Sequence, residues 1–266
     1  MSTVERLVLF VLSVFFVFLL VALLAPVVIV VLGSFYLDDH GNFDFAAPTL
    51  QWYAGVFDNR QIVDSMINTL IVGFASVFVA IALSILLALF QFWTHRRGAI
   101  ALDLLIVLPF VLPPLVVGLS LLVFLREIGV PTGLAAVIIG HSLFVLAIVY
   151  RMIHNRLVQM GRSHIEAAMD LGATPMQTFW RVILPQIRGA IGVAAILAFT
   201  LSFDETLISL FLVGDQNTLP IMLWAMMRTG FSPSINALAT LILATSLLLI
   251  WLATRRDKAS VAADKR

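Results

Sequence analysis

Two carboxylates, Asp204 and Glu205, stand side by side near the end of a long apolar run. A charged group inside a bilayer costs about 2.5–3.5 kcal/mol on insertion scales, so it is kept where it faces a solute path or a partner. Such a pair could attract a protonated amine. The competing reading places both above the hydrocarbon, capping or pairing locally, with Arg228 or a partner subunit as counterpart. His141 falls inside another apolar run. There a lone polar residue more often bonds to a neighbouring helix than relays protons. His154 and His164 lie in a basic stretch, at a spacing that does not suit a helical metal pair, so no metal is assigned. Asn68 reads as an interhelical hydrogen bond worth roughly 0.6–2 kcal/mol. The chain has no cysteine, which excludes disulfides and cysteine-bearing redox or metal sites. No nucleophile–base pair and no GxxxxGK[ST] phosphate loop is present, so the chain is not expected to be an enzyme or to bind a cofactor itself.

The elements that hold these residues are membrane helices. The 266 residues are 61% hydrophobic and only 12% charged, where soluble domains carry about 25% charged residues. Six apolar runs, roughly 7–33, 65–93, 99–125, 133–151, 189–213 and 235–253, are long enough to span a bilayer. They are continuous rather than alternating, which selects helices over a β-barrel. The first run is too long for a signal-peptide core and reads as a retained span. The expected fold is thus an all-α membrane protein, with residues 1–266 forming one transmembrane domain. Only Arg60, Arg126 and Arg228 fall outside when the N-terminus is placed inside; the other Lys and Arg residues then face the cytoplasm, as do both termini. Tyr36, Trp93, Tyr150 and Trp251 mark run ends. In the outer segment 34–64, Thr49 could cap a short helix over 50–57, or the segment is a plain loop. Pro109, Pro113 and Pro114 predict that the third run is bent and buried in the bundle.

One polar stretch, residues 151–189, breaks the apolar pattern. Ser163 followed by Glu166 forms a capping-box sequence opening a helix over 163–171, and Gly172 ends it. Thr174, Pro175 and Gln177 form a second box opening a helix over 175–182. Pro185 is expected to break or kink the chain before the fifth run. Two short helices on a sharp corner outside the bilayer make a protruding lever, and the small Ala167 and Ala168 let a partner surface approach.

At these residues the chain resembles a known family. Glu166-Ala167-Ala168, three residues, Gly172, nine residues, then Val182-Ile183-Leu184-Pro185 is similar to the EAA loop of ATP-binding-cassette importer permeases, with Val182 where isoleucine is usual. The resemblance implies a type I permease fold of six transmembrane helices with a cytoplasmic coupling helix. It implies that the loop docks on an ATPase subunit, through Ser163, Glu166, Ala167, Ala168, Asp170, Gly172, Ala173, Leu184 and Pro185. ATP and magnesium would be bound by two such partner subunits, not by this chain.

Further segments narrow the branch. Ser65-Met66-Ile67-Asn68-Thr69-Leu70, Phe199 to Glu205, Leu219-Pro220 and Ser232 to Thr240 resemble the second permease of spermidine/putrescine-type importers. That branch also handles other small amines, organic acids and phosphonates. It implies a bacterial plasma-membrane location, a second related permease, a periplasmic or extracellular binding protein, and no nucleic-acid partner. Asp204, Glu205 and Trp224 are the candidate residues of the substrate path. A carrier driven by an ion gradient is the more distant alternative. It would show an inverted repeat, and none is evident.

Overall fold

The computed structural model describes residues 3–93, 99–229 and 232–264; Arg96, Arg97, Lys265 and Arg266 of the orientation argument lie outside them. Among the described residues the regular structure is helical: α1 (Thr3–Tyr36), α2 (Gln51–Asp58), α3 (Arg60–Trp93), α4 (Ala99–Val111), α5 (Pro114–Glu127), α6 (Leu134–Met160), α7 (Ser163–Asp170), α8 (Pro175–Thr178), a π-helical turn (Phe179–Ile183), α9 (Leu184–Asp204), α10 (Leu207–Leu212), α11 (Leu219–Thr229) and α12 (Pro233–Asp264). Among the described residues four helices are long and apolar enough to cross a membrane, or five if the bent pair α4–α5 counts as one span. The sixth predicted run lies within α12.

The chain divides into two compact units, residues 1–63 with 223–244 and residues 64–222 with 245–266. In the first unit, α1 is apolar and exposed on nearly every side; Phe10 and Phe18 are typical. Only its last turns are buried. There a side chain at Gly33 would collide with Asn236 of α12 (2.7 Å from its Nδ2), so glycine permits the crossing. The outer segment then folds back. The short helix forms rather than a plain loop, but as α2 it starts at Gln51 with Leu50 at the cap position and no side-chain cap; Thr49 Oγ1 accepts from Gln51 N at 3.1 Å just ahead of it. Trp52 Nε1 donates to the Leu37 carbonyl at 2.9 Å, and the Tyr53 hydroxyl bonds to Ser34 Oγ at 2.7 Å.

The second unit is built around α6, whose buried face runs from Ala136 to Met160. Ser142 Oγ donates within α6 to the Ile138 carbonyl at 2.6 Å, and a serine joins α6 to α3: Ser76 Oγ donates to the same carbonyl at 3.2 Å. Such bonds hold helices together in lipid, where the hydrophobic effect between them is lost. Tyr150 of α6 donates to Asp103 Oδ1 of α4 at 2.8 Å, and His154 stacks on the Tyr150 ring. The third run is bent as expected, but more sharply than a kink: α4 and α5 meet at 106° across Leu112 and Pro113. Consecutive prolines at 113 and 114 remove two backbone donors, so the helix stops and restarts. The run is not buried as predicted. Leu115, Val116, Leu119, Val123 and Phe124 are all exposed, and α5 presents only Val117, Gly118 and Leu125 inward.

The fifth run is also corrected. Its helix starts early, at Pro175, and stops at Asp204, nine residues before the apolar run ends. Pro185 neither breaks nor ends it. The π turn immediately before Pro185, closed by Leu184 N to the Phe179 carbonyl, rearranges the hydrogen bonds locally, and the helix passes through.

Candidate functional site

Two corners carry the residues singled out in the sequence. The first is the loop α7–α8. α7 begins at Ser163, but the capping box of Ser163 and Glu166 does not form. The capping position falls one residue earlier, on Arg162, whose backbone is already helical and whose carbonyl accepts from Ile165 N and Glu166 N at 2.9 Å each. An arginine side chain can only donate, so it caps no N–H. It reaches instead across to α3, donating to the Phe92 carbonyl with its guanidinium 5.4 Å from the Phe92 ring centre. A cation beside the last carbonyls of a helix is favourably placed. Arg162 was not identified from sequence, because nothing local links it to residue 92.

The corner itself follows the sequence closely. Gly172 has φ +85°, the left-handed region that glycine adopts without steric cost. Ala173 N donates to the Ala168 carbonyl and Gly172 N to that of Met169, the paired bonds of a Schellman end. Thr174 then caps α8 with a complete capping box: its Oγ1 accepts from Gln177 N at 3.3 Å, and Gln177 Oε1 accepts from Thr174 N at 3.0 Å. Ser163, Glu166, Ala167, Asp170, Gly172 and Pro185 are exposed, while Ala168, Ala173 and Leu184 are half-buried. Ile165, 1% exposed, is the internal anchor of α7. The corner also presents apolar side chains that the motif did not flag: Leu171 is 89% exposed, and Met169 and Met176 are exposed as well. Behind them a cavity of about 640 Å³ opens between the end of α3 (Leu86, Leu89, Trp93) and Met176, Phe179 and Trp180.

The second corner joins α9 to α10 at Glu205 and Thr206. Glu205 turns its carboxylate onto the start of α10, where Oε1 accepts from Leu207 N at 2.9 Å and Ile208 N at 3.0 Å. It acts as a helix cap, satisfying two amides that have no partner within the helix. Asp204, the last residue of α9, is exposed and has no such role. The adjacent carboxylates therefore do different things. His141 of α6 is buried beside this corner, with Nδ1 2.8 Å from Ser202 Oγ and Nε2 2.8 Å from Ser209 Oγ, so both ring nitrogens are satisfied by neighbouring helices. Asn68 Nδ2 of α3 donates to the Asn217 carbonyl at 3.0 Å, and Thr69 Oγ1 accepts from Leu219 N at 2.7 Å. The Asn-Thr pair thus pins the start of α11, a helix not anticipated from sequence because it is too short to register as a span. Trp224 lies in the first unit, its ring 4.0 Å beneath the Arg228 guanidinium.

Comparison with known proteins agrees with this arrangement. Residues 80–259 match the family described as binding-protein-dependent transport system inner membrane component. The spermidine/putrescine transport system permease protein PotC of Haemophilus influenzae is 29% identical over 85% of this chain and 88% of its own. The putrescine transport system permease protein PotI of Escherichia coli (strain K12) is 34% identical over 83% of this chain and 81% of its own. Among solved structures, a bacterial ABC transporter involved in the import of the acidic polysaccharide alginate superposes with a TM-score of 0.76 at 15% identity, over 96% of this chain and 98% of that one. This chain accordingly belongs to the inner-membrane components of binding-protein-dependent transport systems, as a permease subunit of an ATP-binding-cassette importer.

Proposed function

We propose that this permease carries a small polyamine, of the putrescine or spermidine class, across the bacterial inner membrane. The likeness over most of the chain to permeases named for those two amines carries the reading. The electrostatics favour it. Glu205 is committed to capping α10, which leaves Asp204 as an exposed carboxylate at the end of a membrane helix, a group that attracts a cation and repels an organic acid or phosphonate. Trp224 is the other candidate for the path. In this reading both termini are cytoplasmic, a second related permease completes the pathway, and a periplasmic binding protein delivers the amine. Two partner subunits bind ATP and magnesium. They drive the permease through the α7–α8 corner, with Glu166, Ala167, Ala168 and Gly172 at the docking face and Leu184–Pro185 where the lever enters α9.

The test is uptake by the reconstituted complex in proteoliposomes, offering labelled putrescine and spermidine beside an organic acid and a phosphonate. ATP-dependent, saturable amine uptake is expected, lowered about tenfold by Asp204→Asn if one charge–charge contact of about 1.4 kcal/mol is lost. Amine uptake no higher than in empty vesicles would remove the substrate assignment.

A further inference from the structure

The α9–α10 corner is held by a residue distant in sequence. His141 is 1% exposed, and its two serine partners stand on opposite sides of the break: Ser202 in the last turn of α9, Ser209 in the first turn of α10. Ser209 Oγ also lies 3.2 Å from the Glu205 carbonyl. Hydroxyls turn to suit their partners, so either neutral tautomer of the ring keeps both links, and His141 joins the two helix ends whichever nitrogen carries the hydrogen.

α10 has little freedom of its own. A side chain at Gly140 would meet Ile208 Cγ2 at 2.7 Å, and one at Gly118 would meet the Ile208 Cα at 3.0 Å, so α6 and α5 grip the helix through glycine contacts. Its far end is tied by Gly133 N to the Leu212 carbonyl at 2.7 Å. With α10 fixed, the placement of the α9 terminus decides where Asp204 points. His141 is the side chain that bridges the two.

We propose that His141 is a positioning residue for the carboxylates of the α9–α10 break: by tying Ser202 to Ser209 it sets the direction in which Asp204 faces the translocation path. The functional consequence rests on the reading of Asp204 as a cargo contact; the geometric one does not.

The chain has no cysteine, which makes a positional test direct. In the assembled complex the Asp204→Cys variant is labelled with a water-soluble maleimide, with and without Ser209→Ala. The labelling rate is expected to change about fivefold or more, the factor carried by one buried hydrogen bond of ordinary worth, and Ser209→Thr, which keeps the hydroxyl, is expected to leave it unchanged. Should Ser209→Ala not assemble, Ser202→Ala cuts the other end of the tie and is read in the same way. A residue of merely structural value would lower the melting temperature without moving the labelling rate, and an unchanged rate in the folded complex overturns the proposal. Uptake separates the two readings: Ser209→Ala is expected to lower amine uptake in the parent background, and to cost less than about twofold further once Asp204→Asn is present, because coupled residues are non-additive. Wild-type uptake by Asp204→Asn alone, together with a shifted labelling rate, would remove the cargo contact and leave the positioning role standing.

Discussion

The α7–α8 corner and the α9–α10 corner solve the same problem by opposite means. Each joins two helices through a few residues and must satisfy the amides and carbonyls that the helix ends leave open. At the α7–α8 corner the partners are neighbours in the chain: Ala173 bonds back to Ala168, Gly172 to Met169, and Thr174 and Gln177 to each other. At the membrane corner Glu205 supplies the local cap, but the clamp comes from His141, more than 60 residues away from either serine, and from glycines on α5 and α6. The exposed corner is closed by bonds along the chain. A corner inside a packed bundle is placed by its surroundings, so its position responds to what the neighbouring helices do.

That contrast can be broken at its strongest point first. Gly172→Pro should uncouple the importer: proline fixes φ near −65° where the corner needs +85°, and it removes the amide that closes on Met169. ATP-driven uptake is expected to fall by more than about tenfold, the consequence of a backbone penalty of 3 kcal/mol or so at the docking face. Measuring ATP hydrolysis and amine uptake in the same vesicles checks it, and hydrolysis that still drives uptake in full would show that this corner does not carry the motion.

Glu205→Ala is expected to come next. It strips the acceptor from two α10 amides, one of them on buried Ile208, and should destabilise the permease by about 1–2 kcal/mol. Thermal melting of the purified complex would register the loss, and Glu205→Gln, which keeps an acceptor oxygen, should recover most of it. Thr174→Ala should cost somewhat less, about 0.5–1 kcal/mol, because water can reach the exposed amides its hydroxyl leaves open. Ser163→Ala should do almost nothing, within about 0.5 kcal/mol, since the residue lies inside the helix rather than at its cap. Equal melting losses for Ser163→Ala and Thr174→Ala would mean that the first capping box forms in the assembled transporter.

The membrane class, the bent third run, the glycine corner and the second capping box could be read directly from residue order. Each rests on apolar length or on hydrogen bonds between residues fewer than six apart. The first box does not form; the cap position falls on Arg162, whose side chain reaches Phe92, 70 positions earlier. The fifth run extends through a real helix end because Leu201, Phe203, Leu207 and Ile208 continue the apolar pattern across the break, and hydropathy does not register a helix that stops inside a bundle. Pro185, expected to break or kink the chain, does not break it; the helix continues past a π turn immediately before it.

The sequence by itself determined that this protein lives in a membrane, that a polar stretch with a glycine corner interrupts its apolar runs, and that two carboxylates sit at one point in its fifth run. Those features depend on composition and on contacts along the chain. The tertiary structure decided what the carboxylates do. Only when α6, α9 and α10 come together does Glu205 become a cap, Asp204 become the exposed carboxylate, and His141 become the bridge between them, because in the absence of water each buried hydrogen-bonding group must find its partner on another helix.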